Sequence, residues 1–309
     1  MAPDTDAIGT PGRHEEARAL LAALRERVDD ALEHVLPPET EPPAGLHIAM
    51  RYSVLAGGKR LRPILLLGAG AACGAGGDEL LPAACAVELM HAYSLIHDDL
   101  PAFDDDELRR GKPANHVMFG EPQAILAGDA LQSLAFGTMA TAAHRAPDPR
   151  RWSAAIAELA VAAGSGGMAG GQWLDVEAEG RAVDINALET LHAAKTGALL
   201  TACARIGALL AGADSDTLER LSAYGRAVGL AFQVIDDILD VEGSVEQLGK
   251  RPGADAHRGK PTYAALLGIP EARATAERLR RAAQHAIAPL GDAARPLALI
   301  ADYVIDRSR

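Results

Sequence analysis

At 309 residues, 49% of them apolar, the chain can bury a sizeable core as one large domain or two ordinary ones. Aromatic residues make up only 4% while alanine and leucine dominate, which favours packed helices over sheets. A formal net charge of -12 argues against general binding to nucleic acid or to anionic membranes.

The amino terminus, M-A-P-D-T-D, lacks the basic start and apolar middle of a signal peptide. No apolar stretch reaches transmembrane length without interruption, so a soluble, cytoplasmic protein is expected. Cys73, Cys85 and Cys203 lie in apolar, alanine-rich surroundings without metal-ligand spacing and read as reduced core residues.

Residues 1–12 carry Pro, Gly, Asp and Thr without periodicity and are expected to be disordered, leaving 13–309 as a single domain. From Glu15 to Val35 apolar residues recur at helical spacing, until P-P-E-T-E-P-P stops the pattern. Shorter helices are expected over His47–Leu55, closed by Gly57 and Gly58, and over Arg60–Cys73, with Pro63 in its first turn. Longer ones follow over Glu79–His97, Pro122–Ala143 and Arg150–Ala163. Five glycines between Gly164 and Gly171 precede Q-W-L-D-V; no strand leads into them and no G-K-[S/T] follows, so they point to close helix packing rather than a phosphate loop. Ile185–Leu210 and Asp216–Val241 read as long inner helices. A basic segment, Gly249 to Pro261, looks like a mobile loop, and shorter helices complete the chain. No strand pattern and no composition break appears. The expected class is all-α.

Two of these helices carry unusual acid. The run from Leu95 to His116 places Asp98, Asp99, Asp104, Asp105, Asp106 and Glu107 at the end of the apolar stretch Ala83–Ile96. Asp236, Asp237 and Asp240 sit inside a second apolar stretch, Val228–Val241, with Asp236 and Asp240 one turn apart on one face. Most charge runs are solvated loops, but buried unpaired carboxylates are costly, so two such clusters on apolar helices suggest a divalent-metal site between them.

Carboxylates alone would repel an anion, and the basic residues gather in a few places: Lys59, Arg60 and Arg62; Arg109, Arg110 and Lys112; Lys250 and Arg251; Arg258 and Lys260. A divalent cation bridging carboxylates to phosphate oxygens, with Lys and Arg completing the cradle, accounts for both signs of charge, and Mg²⁺ suits that arrangement. One diphosphate would sit on metal, and a second on cations alone near Lys59 and Arg62. His91, seven residues before Asp98 on the same face, either reaches that second site or is a satisfied core histidine.

The motifs in order are G-G-K-R-L-R-P (57–63), D-D-L-P-A-F-D (98–104) followed by R-R-G-K-P, G-D-A-L (128–131) and G-G-Q-W-L-D (170–175). K-T-G (195–197), F-Q-V-I-D-D-I-L-D (232–240), L-G-K-R (248–251) and G-K-P-T-Y (259–263) complete the set. Together they resemble the trans-prenyltransferases, the polyprenyl diphosphate synthases, and within them the bacterial farnesyl diphosphate synthases, from about Gly45 to the carboxyl terminus. The resemblance implies an all-helical isoprenoid-synthase bundle with a central cavity, a homodimer, and three Mg²⁺ ions. By motif it assigns metal to Asp98, Asp104 and Asp236, with Asp99, Asp237 and Asp240 as further ligands or supporting groups. It assigns isopentenyl diphosphate to Lys59, Arg62, His91 and Arg110. The allylic diphosphate falls to Arg109, Lys195, Thr196, Gln233, Lys250 and Lys260. For Lys195, which interrupts the apolar run Ala193–Leu200, the match reverses the usual reading as a surface lysine. Gln233, one turn before Asp237, fits a shared face.

The implied reaction is ionisation of the allylic diphosphate, attack by the double bond of isopentenyl diphosphate, and proton loss to the departing diphosphate. In this family a large residue five positions before the first aspartate, with a D-D-x-x-x-x-D motif, goes with a fifteen-carbon product. Tyr93 fills that position, while its neighbour Ser94 is too small to close a tunnel floor, so farnesyl diphosphate is expected, with geranylgeranyl diphosphate as runner-up. Two residues depart from the family pattern, Ile235 and Trp173, and both bear on pocket shape. A terpene cyclase would carry N-D-x-x-[S/T]-x-x-x-E where Asp236, Asp237, Asp240 and Ser244 stand, and more aromatics. A non-catalytic partner subunit would typically lose an aspartate motif. A calcium-binding protein would need the D-x-D-x-D-G order, which Asp98–Lys112 lacks.

Overall fold

The computed structural model describes residues 11–243 and 259–306. Lys250, Arg251 and Arg258, most of the expected mobile loop and residues 1–10 of the expected disordered terminus lie outside these. Helices α1 (Pro11–Val35), α2 (Ala44–Val54), α3 (Leu61–Ala72) and α4 (Leu81–Asp98) come first, α4 entered through a 3₁₀ turn at Asp78–Leu80. Then follow α5 (Asn115–Phe119), α6 (Glu121–Arg145), α7 (Pro149–Ala163), α8 (Met168–Ala178) and α9 (Ile185–His192). The chain continues through α10 (Ala198–Ala211), α11 (Ser215–Glu242), α12 (Tyr263–Leu267), α13 (Ile269–Ile287) and α14 (Arg295–Asp306). Helix starts obey local chemistry. Asp148, Asp184, Asp214 and Thr262 each accept a backbone N–H from the first turn of α7, α9, α11 and α12.

The all-α expectation holds, with two local exceptions. A two-residue hairpin, β1 (Leu108–Arg109) with β2 (Lys112–Pro113), follows the first acidic run. Arg110 (φ 55°) and Gly111 (φ 75°) turn it, two successive positive φ values that no apolar periodicity announces. The helix expected over Ile185–Leu210 is not continuous either: Ala193–Gly197 forms a π turn between α9 and α10.

Helix α4 packs on α6 and α3, while α10 lies against α3, α7 and α11, and α11 against α13. The contact of α10 with α3 is backbone-close, because a Cβ on Gly207 would stand 2.2 Å from the carbonyl oxygen of Leu66. Two stretches, Asp78–Asp98 and Ile185–Ala211, are long and apolar enough to cross a membrane, contrary to the sequence expectation. Both are central bundle helices, 61% and 56% buried, and both carry charge, Glu88 in one and Lys195 in the other. Cys85 and Cys203 are core residues as expected, whereas Cys73 is partly exposed.

Candidate active site

A cavity of about 820 Å³ opens between α3, α4, α8, the π turn and α11, and it gathers most of the sequence candidates. Lys59, Arg62, His91 and Arg110 line one side. Asp98, Arg109, Lys195, Thr196, Gln233 and Asp236 line another, and Tyr93 and Ser94 lie among the apolar residues of its wall. A larger cavity, about 1270 Å³, lies at the opposite end of α4, against Leu81, Pro82 and Cys85, and holds none of the motif residues.

The six aspartates assigned to metal do not all face the cavity. Neighbours on a helix project about 100° apart, so adjacent aspartates cannot share a face. Asp98 and Asp236 line the cavity. Asp99 is 2% exposed and receives the Arg109 guanidinium, whose Nε lies 3.0 Å from Oδ1. Asp237 is 4% exposed, and its Oδ2 accepts the backbone N–H of Tyr263 at 2.7 Å. Each carboxylate is thus engaged by a protein group, Asp99 by Arg109 and Asp237 by the backbone at Tyr263. Asp240, one turn beyond Asp236, is buried as well. Gln233 shares the cavity with Asp236, three residues on.

The Lys195 ammonium donates to Asp175 Oδ2 at 2.6 Å. Lys260 donates to the same oxygen at 2.9 Å and to Asp104 Oδ1 at 2.8 Å. A chain of alternating charge therefore joins the first acidic motif, α8 and the π turn. Burial works against the Asp175 carboxylate, but the two lysines outweigh it and hold its pKa below the ordinary range. The same carboxylates, with burial opposing, raise that of Lys260. Asp98 is pushed up to about 6, chiefly by burial, with Asp104 adding to the rise and Lys195 opposing it.

On the basic side, burial and then the charges of Arg62 and Arg110 push His91 well below its usual value. Its Nδ1 is buried without a hydrogen-bond partner, as is Arg62 Nε. His91 is thus not a satisfied core histidine; it is a neutral group on the wall of the cavity. Arg109 is more committed than the sequence reading allows, since it also donates to Asp106 at 3.1 Å. Tyr93 presents its ring edge-on to His97, centroids 4.9 Å apart, and His97 fits only because Gly128 has no side chain. Ile235 is 1% exposed in the core and does not shape the cavity, whereas Trp173, 69% exposed, stands at its mouth.

Sequence reasoning gave no role to Asp175, Glu88 or Gln172. The signal was available for the first two, each being a carboxylate set among the apolar residues of a helix. A buried carboxylate demands a cation.

Residues 43–300 match the family model described as polyprenyl synthetase. The chain belongs to that family. It is 47% identical over 293 residues to the farnesyl diphosphate synthase of Escherichia coli, covering 94% of this chain and 98% of the relative. It is 49% identical over 292 residues to a dimethylallyltranstransferase of Fischerella ambigua, covering 93% and 83%. Among solved structures, an FPP/GFPP synthase from Zymomonas mobilis superposes with a TM-score of 0.85 at 37% identity, covering 94% and 99%. The family and fold expected from the motifs are those found.

If the polyprenyl synthetase cavity seats two diphosphates on different cations, the two ends respond separately to substitution. Arg62→Ala is expected to raise the KM for isopentenyl diphosphate, and Lys195→Ala that for the allylic substrate. Each loss is on the order of 1.5–3 kcal/mol, the scale of one charge-assisted contact. Initial rates with each substrate varied in turn decide it; equal effects on both substrates would refute the division.

Proposed function

We propose that this protein is a farnesyl diphosphate synthase, which extends dimethylallyl diphosphate by two isopentenyl units. The observation that carries this reading is a single cavity with a basic side, an acidic side and an apolar wall that includes Tyr93. In the reaction the carbon–oxygen bond of the allylic diphosphate breaks and its electron pair leaves with the diphosphate. The double bond of isopentenyl diphosphate then attacks the allylic carbon, and a proton passes from the new chain to the departed diphosphate. Lys195, with Lys260 beside it on Asp175, offers positive charge to that leaving group. Lys59, Arg62, His91 and Arg110 hold the second diphosphate, which does not leave. The buried walls keep water from the cation.

Mg²⁺, three ions in the family, is the cofactor this reading implies. Asp98 and Asp236 would hold it, with Asp104 at the rim. The donors fit: all are carboxylates, the preferred ligands of a hard cation, and burial makes the charge on Asp98 costly until a cation offsets it. Among the described residues no three acidic, His or Cys groups close a site by themselves, which suits an ion completing its shell with phosphate oxygens and water. Bound there, it would withdraw charge from the leaving diphosphate.

Free, buried thiols at Cys85 and Cys203 support a cytoplasmic setting. A homodimer is supported by α5 and α6, which expose Val117, Met118, Ile125 and Leu126 at 43–58% on consecutive elements. Light scattering of purified protein checks it.

Incubation with dimethylallyl and isopentenyl diphosphates, followed by chromatography, tests the function: fifteen-carbon product is expected, and twenty-carbon product would favour geranylgeranyl synthesis. Tyr93→Ala tests the floor. At about 1.5 Å per residue Tyr93 lies roughly 7 Å along α4 from Asp98. Its truncation is expected to shift products to twenty carbons or more while turnover survives. An unchanged product from a folded variant would exclude Tyr93 as the floor.

A further inference from the structure

Among the basic residues that line the cavity lies one buried carboxylate, Glu88. It is 2% exposed on α4, one turn before His91. Arg60 Nη1 donates to its Oε1 at 2.6 Å, and Arg110 Nη2 stands 3.8 Å from the same oxygen. Arg60 is itself 3% exposed and sits in the left-handed region (φ 51°) at the start of α3. Two further bonds fix it, to Asp29 Oδ1 and to the carbonyl of Val54, both at 2.7 Å. Arg60 is therefore committed to protein partners, and clamps the junction between Lys59 and the start of α3, which carries Arg62.

Three guanidiniums crowd this corner. Burial lowers the pKa of Arg62 and of Arg110, and the other arginines add to the effect at Arg110. Glu88 is the carboxylate that acts on all three, on Arg60 by direct contact and on Arg62 and Arg110 through its field. Without it, Arg60, Arg62 and Arg110 would repel one another, and Arg110 would lose the carboxylate 3.8 Å from its guanidinium.

We propose that Glu88 is a positioning residue for the non-leaving diphosphate: its buried carboxylate anchors Arg60, at the start of the helix that carries Arg62, and holds Arg110 in receiving geometry. This rests on the reading above that the basic side seats isopentenyl diphosphate. Two effects of removing its charge oppose each other. Removal makes the corner more positive, which favours an anion, but releases the guanidiniums from their set positions. A guanidinium binds phosphate through oriented, paired hydrogen bonds, so the loss of orientation is the larger effect.

Glu88→Gln keeps the shape and removes the charge. The expected result is a rise of about tenfold or more in KM for isopentenyl diphosphate, with KM for the allylic substrate within about twofold of wild type, the scale of one lost charge-assisted bond. Glu88→Asp keeps the charge one methylene short and is expected to restore part of the affinity. Calorimetric titration of the protein with isopentenyl diphosphate alone, where no turnover occurs, should rank the three proteins in the same order. A fall in KM for isopentenyl diphosphate would show that Glu88 acts only as a field. Equal changes in both KM values, with a lowered Tm, would show a merely structural role. Either overturns the proposal. Should Glu88→Gln fail to fold, Glu88→Asp decides alone: a rise in KM confined to isopentenyl diphosphate supports the proposal, and equal changes in both KM values refute it. Arg62→Ala separates the two readings. If it leaves KM for isopentenyl diphosphate unchanged, the seat itself is misassigned; if it raises KM while Glu88→Gln does not, only the role of Glu88 fails.

Discussion

Asp98→Ala and Asp236→Ala are each expected to lower kcat/KM by about 10²–10³-fold or more, on the scale of removing one charge-stabilising group from an active site. Both carboxylates line the same cavity from different helices, Asp98 at the end of α4 and Asp236 within α11. Neither is expected to replace the other, because each reaches the cavity from its own helix. Stability should not fall with activity. Burial pushes Asp98 up to about 6 and Asp104 adds to this, so a neutral alanine removes a repulsive, desolvated charge from the metal-free protein. Steady-state rates in excess Mg²⁺, with melting curves in EDTA, check both halves. Turnover near that of wild type in either variant would refute the metal role, and a large loss of Tm would assign the residue to the fold.

Gly171→Ala is expected to destabilise the protein by about 3 kcal/mol or more and to reduce turnover about 10²-fold. A Cβ there would stand 2.0 Å from the backbone nitrogen of Lys195 and 2.3 Å from its Cα. Backbone cannot yield as a side-chain tip can, so either α8 or the π turn must move. Any such movement displaces the Lys195 ammonium from Asp175. Gly137→Ala in α6 serves as the control: nothing lies within 4 Å of its added Cβ, and a gain of about 0.4–1 kcal/mol is expected. Denaturant unfolding of both variants, together with kcat/KM, separates the effects.

The helices and the two acidic poles were legible because each leaves a periodic or compositional trace. The roles within the poles were less so. A run such as D-D reads as two equivalent ligands, yet the helix turns between them and delivers Asp98 to the cavity and Asp99 to Arg109. Glu88 and Asp175 were passed over, and their partners, Arg60 and the lysines at 195 and 260, are set by tertiary packing that leaves no mark at fixed spacing. The break at Ala193–Gly197 was hidden for a related reason. It packs backbone-close against glycines on other helices, Gly171, and Gly229, whose Cβ would stand 2.8 Å from Gly197 Cα, and such tertiary neighbours leave no mark in the segment itself.

That π turn has a consequence for how the chain tolerates insertion and deletion. A wider turn accommodates one residue more than a regular helix would. Deleting one residue between Ala193 and Gly197 would let α9 and α10 run as a single regular helix. Because the wider turn already absorbs the extra residue, the flanking faces would keep their places, with Leu188 and Leu191 of α9 and Leu199, Leu200 and Cys203 of α10 still in the core. What would change is the turn itself, and with it the reach of the Lys195 ammonium to Asp175.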